Sequence, residues 1–98
     1  MPKFSADPTD AETAQDFLHG RKGLSHLRVR KRGDLLTIVS GDADDVDTHA
    51  RVRRVSVQYW RLEMPAGTTW EPTPFHGPLR EILATLADSF GWTLEPRF

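Results

Sequence analysis

Ninety-eight residues and 11.1 kDa fit one small domain, residues 1–98, with room for a single thin core. Hydrophobic residues at 38% and charged residues at 28% exclude a predominantly disordered or collagen-like chain, no apolar run approaches a membrane span, and the absence of cysteine excludes disulfides, thiol nucleophiles and thiolate metal sites. The net charge of -1 is nearly neutral, which argues against a chain that binds polyanions by bulk charge alone.

The first seven residues, Met1 to Asp7, are expected to be flexible; they lack the apolar stretch of a secretory signal, which predicts a cytoplasmic protein. Asp7-Pro8-Thr9-Asp10 then places an acceptor at an N-cap, proline at the first helical position and an acid in the first turn, so a helix is predicted over 8–19. Its apolar stripe of Ala11, Ala14, Phe17 and Leu18 is small, which predicts loose docking. Residues 26–32 alternate, and Gly33-Asp34 separates them from the apolar run 35–39, the pattern of a hairpin. With a two-residue turn, Val29 faces Ile38 and Arg32 faces Leu35, gathering Leu27, Val29, Leu36 and Ile38 on one face and Arg28, Arg30 and Arg32 on the other.

Residues 40–48 are polar and acidic and read as a loop. From Ala50 to Met64 runs a β-rich stretch whose apolar parity changes near Tyr59-Trp60, which predicts a bulge or sharp bend there. Pro65-Ala66-Gly67 predicts a turn, and Pro72 and Pro74 restrict the returning strand 68–75 to an edge or irregular strand. Leu79, Ile82, Leu83, Leu86 and Phe90 follow helical spacing, so a second helix is predicted over 78–90, capped by Gly91 and lying across a sheet face. Trp92 and Leu94 suggest a short last strand. The predicted fold is α+β: a mostly antiparallel sheet of four to five strands and two helices, in the order α-β-β-β-β-α-β, with the C-terminal helix packed on one sheet face.

The near-neutral total conceals opposite blocks. Residues 21–32 hold Arg21, Lys22, Arg28, Arg30, Lys31 and Arg32 with no acid, 33–49 hold Asp34, Asp42, Asp44, Asp45 and Asp47 with no base, and 50–61 hold Arg51, Arg53, Arg54 and Arg61. Either the blocks neutralise one another across strands or the basic ones merge into a patch facing a polyanion. Arg28, Arg30, Arg32, Arg51, Arg53 and Arg54 form the candidate anion or nucleic-acid surface, because arginines two apart on a strand repeat about every 7 Å, near the phosphate spacing. Tyr59, Trp60 and Trp70 are candidate interface aromatics that could stack on bases or form the centre of a protein interface. The competing assignment puts Trp60, Leu62, Trp70 and Phe75 in the main core.

Other motifs are weaker. The aspartates Asp42, Asp44, Asp45 and Asp47 lack the glycine and terminal glutamate of an EF-hand, so no metal is expected. His19, His26, His49 and His76 show no ligand spacing and read as caps, turns or surface residues. Arg32-Gly33-Asp34 resembles an adhesion tripeptide and Arg53-Arg54-Val55-Ser56 a kinase site; both are accounted for by turn and strand patterning. Asp47, His49 and either Ser40 or Ser56 could meet in space, yet no nucleophile elbow or phosphate loop accompanies them. The sequence therefore predicts a non-enzymatic binding module with no cofactor and no membrane partner. A protein or a second copy of the chain is the expected partner, nucleic acid is the alternative, and a small hydrolase with unassigned residues is the third reading.

Overall fold

The computed structural model describes residues 5–21, 23–42 and 45–94. Helix α1, Pro8–His19, precedes five strands, β1 Arg28–Arg32, β2 Leu35–Asp42, β3 Asp45–Ser56, β4 Tyr59–Ala66 and β5 Thr69–Gly77; helix α2, Leu79–Ser89, and a 3₁₀ turn, Gly91–Leu94, follow. The strands form one antiparallel sheet in sequential order, each joined to the next by a hairpin. Such a meander closes every pairing locally, so the chain builds the sheet without a crossover.

Pairing of Val29 with Ile38 and Arg32 with Leu35 is the register that the side-chain pattern predicts. Gly33 carries φ +59, and among the described residues only glycines have positive φ, the arrangement of a hairpin turn led by glycine. Nothing lies within 4 Å of a β-carbon placed there, so only backbone strain opposes substitution. Gly33→Ala is expected to cost about 1 kcal/mol, read as a shift of the urea midpoint at unchanged slope.

Both helices cover the same face. Leu36, Ile38, Ala50, Val52, Trp60 and Leu62 from the sheet meet Ala14 and Leu18 of α1 and Ile82, Leu83 and Leu86 of α2, with Leu27 and Leu94 closing the ends. α1 begins where Asp10 accepts a hydrogen bond from the Asp7 N–H at 2.8 Å. The preceding residues are tied down: Ala6 is buried, and its N–H donates to the Gly33 carbonyl at 2.8 Å. Residues 1–4 of the segment expected to be flexible lie outside the described residues.

Four local expectations are corrected. The acidic segment is not a loop but the paired ends of β2 and β3, down to Asp42 opposite Asp45; cross-strand pairing overrides the weak β-propensity of aspartate and glycine. Asp44 lies outside the described residues. The stretch 50–64 is two strands reversing at Val57-Gln58, which is why its apolar parity changes. The β4–β5 reversal falls at Gly67-Thr68, where Gly67 has φ +64, and Pro65 and Ala66 are still paired. Residues 91–94 form a 3₁₀ turn rather than a strand, because both edges of the sheet are already fixed and the buried Leu94 is drawn back under the helix layer instead. Helix α2 accordingly ends at Ser89, with Phe90 as its cap and Gly91 opening the turn.

Candidate anion-binding sheet face

With both helices on one side, the other side of the sheet faces solvent. Strand alternation and register place Arg28, Arg30 and Arg32 of β1, Leu35, Thr37 and Val39 of β2, Arg51 and Arg53 of β3, and Tyr59, Arg61 and Glu63 of β4 on that helix-free side. Of the six arginines grouped from the sequence, five share this face. Arg54 does not: it pairs with Trp60 on the helix side, where its guanidinium lies 5.6 Å from the indole centroid and its Nη1 donates to the Ser5 carbonyl at 2.9 Å and to Asp10 at 3.4 Å. Alternation is the reason, since Arg53 and Arg54 are consecutive on one strand. Arg54 thereby fastens the start of α1 to the sheet.

The centre of the face is organised by Glu63, which is 4% exposed. Its Oε1 accepts from Arg51 Nε at 2.5 Å, and its Oε2 accepts from Arg53 Nε at 3.2 Å and Arg61 Nη2 at 3.3 Å. Asp34, from the first turn, accepts from Arg53 Nη1 at 2.8 Å. Burial is the largest influence on Glu63 and opposes its charge, but the hydrogen bonds from Arg51 and Arg53, together with their charges, hold its carboxyl below the usual range. Arg53 is likewise desolvated, yet Glu63 and Asp34 keep its affinity for its proton above the ordinary value. Three cations meet two anions here, so the cluster keeps an excess positive charge and holds its guanidiniums in fixed positions.

Toward β1 the compensation stops. Arg28 donates to the Gly41 carbonyl and so keeps its charge, while Arg30, Lys31 and Arg32 are exposed and have no partner among the described residues. Beside them is an open groove of about 410 Å³ lined by Arg30, Lys31, Arg32, Thr37, Val39 and Thr48. The helix layer is acidic on balance, with Asp10, Glu12 and Asp16 on α1 and Glu81 and Asp88 on α2 against Arg80, Arg21 paired with Asp88, and Arg54 paired with Asp10. The molecule is thus electrically two-sided, which a net charge of -1 hides.

The aromatics divide three ways. Tyr59 is 51% exposed on the cationic face, its ring 6.4 Å from that of His76. Trp60 is core at 3%. Trp70 is half-buried, with the Arg51 guanidinium 4.4 Å over its ring, a cation–π stack rather than a free platform. Phe75 is 40% exposed and meets Phe90 edge to face at 5.8 Å, so neither Trp70 nor Phe75 belongs to the main core.

The serine–histidine pairing is real but closed. Ser40 Oγ lies 2.7 Å from His49 Nε2, and both residues are buried, His49 completely. The ring of His26 stands edge-on to His49 at 6.3 Å, and His26 Nε2 donates to the Leu94 carbonyl at 2.7 Å. The enclosed hydroxyl links β2 to β3 and offers no approach to a substrate, while His26 holds the 3₁₀ turn through the Leu94 carbonyl. Among the described residues no three carboxylate or imidazole side chains converge as metal ligands. Glu63 is the residue that reading the sequence missed; its signal was present as the single acid on the arginine-bearing parity of β4, but only the β3–β4 register sets it between Arg51 and Arg61. No family model, no curated protein and no solved structure matches the chain.

Proposed function

We propose that this protein is a non-enzymatic binding module that holds an acidic segment of another protein on the helix-free face of its sheet. The observation that carries this reading is the unequal charge compensation of that face: the guanidiniums around Glu63 are pre-oriented, while Arg30 and Arg32 at its edge are left without acids. Electrostatic complementarity then supplies encounter and orientation, and exposed Tyr59 supplies apolar contact. A second copy is a poor occupant, because a two-fold contact would set like charges against one another. Sheet-edge addition is also hindered: Gln15 Oε1 accepts from the Val29 N–H at 3.2 Å on β1, and Pro72 and Pro74 interrupt β5.

Nucleic acid is the second reading, favoured by the row Arg28, Arg30, Arg32 at about 7 Å steps. It is weakened by the acids Glu63 and Asp34 within the face and by the occupation of Trp70 by Arg51. Titration of a fluorescent glutamate-rich peptide and of a single-stranded oligonucleotide at about 50 and 200 mM salt separates the two. Peptide binding that weakens with salt and is lost in Arg30→Ala/Arg32→Ala is expected. Preference for the oligonucleotide would transfer the assignment to nucleic acid, and binding of neither would end both.

A further inference from the structure

The groove at the β1 edge has more chemistry than a carboxylate requires. Arg30 and Arg32 stand two residues apart on an exposed edge strand and share the helix-free side, Lys31, paired with the core residue Leu36, borders the groove from the other side of the strand, and the half-buried Thr37 and Thr48 contribute hydroxyls that have no hydrogen-bond partner among the described residues. Val39, directly opposite Arg28 in the register and almost fully buried, gives the groove an apolar wall. We propose that this groove is the anchor site for a phosphorylated serine or threonine in the acidic partner segment, a proposal that rests on the protein-binding reading above.

The argument is one of charge and donor count. A phosphomonoester carries close to two negative charges near neutral pH and three strong acceptor oxygens, so it can engage two guanidiniums and hydroxyl donors together. A carboxylate carries one charge and two acceptor oxygens, so it neutralises less of the same set. Arginine's planar fork suits phosphate geometry, and paired forks on one strand are the arrangement that rewards it. The groove's 410 Å³ accommodates the phosphoryl group and the side chain bearing it, with Val39 beside the apolar stem. A nucleic-acid strand would need the cationic track to continue, but the next arginines inward, Arg51 and Arg53, are already bound to Glu63 and Asp34.

The test uses the full chain and four probes of one acidic peptide sequence, carrying serine, phosphoserine, threonine or phosphothreonine at its centre, with a single-stranded oligonucleotide as a fifth. Phosphorylation is expected to tighten binding about tenfold or more, consistent with one or two charge-assisted hydrogen bonds. Arg30→Ala/Arg32→Ala should erase that difference, and Thr37→Val/Thr48→Val should shrink it, with circular dichroism confirming an intact fold. If all four peptides bind equally, the phosphate site is wrong while the protein-binding reading stands. If no peptide binds, both fail; if the oligonucleotide outcompetes the phosphopeptides, the ligand is nucleic acid and the proposal is overturned.

Discussion

Trp60→Ala is expected to lower stability by about 4 kcal/mol, whereas Tyr59→Ala, one residue away, should change it by no more than about 0.5 kcal/mol. Trp60 is 3% exposed, belongs to the cluster that joins the sheet to both helices, and lies under the Arg54 guanidinium that secures the start of α1. Removing the indole opens a cavity between layers that local side chains cannot fill without backbone movement. Small domains are stable by roughly 5–15 kcal/mol, so such a loss would consume much of the margin. Tyr59, at 51% exposure, has little to lose on the folded side, yet it stands on the cationic face and should weaken partner binding. Urea unfolding of the two variants checks the pair; equal midpoints would contradict the assignment of Trp60 to the core and Tyr59 to the surface.

Glu63→Gln is expected to destabilise the protein by about 2 kcal/mol at neutral pH, somewhat below the cost of breaking a fully buried ion pair because the tips of Arg53 and Arg61 reach water. The substitution keeps the shape but leaves Arg51, Arg53 and Arg61 close together without their shared counter-charge. It should also remove part of the protein's acid sensitivity. The folded-state pKa of Glu63 lies below its ordinary value of 4.5, so its contribution is complete above that value and is lost as pH falls from there through the lower folded value. The stability difference between native protein and variant should therefore be greatest near neutrality and narrow below about pH 4.5. A difference independent of pH would show that Glu63 contributes by packing alone. Because the face gains a positive charge, the acidic peptide should bind the folded variant more tightly at low salt.

The first hairpin and α2 were legible because each element's apolar residues fall on one face only in the correct pairing or helical phase. A one-residue slip of β1 against β2 would carry Val29 to the opposite face from Leu36 and Ile38, and no alternative phase of 79–90 gathers Ile82, Leu83 and Leu86. The β3–β4 reversal was not legible, since Val57 and Gln58 carry none of the turn residues that mark a hairpin and the reversal is imposed by pairing on either side. Nor was the pairing of the acidic segment, where the neighbouring strand supplies what aspartate and glycine lack.

The same division holds for the candidate site. By itself the sequence determined that arginines two apart must share a face, that the chain holds cations and acids in separate blocks, and that two helices and a mostly antiparallel sheet must enclose one small core; each follows from local geometry and side-chain periodicity. The order of the strands, that both helices share one face, that Arg54 turns inward while Arg53 turns out, and that Glu63 meets three guanidiniums were decided only by tertiary structure. Those outcomes depend on pairing residues distant in the chain, and the free energy that selects them comes from burial and charge compensation across strands.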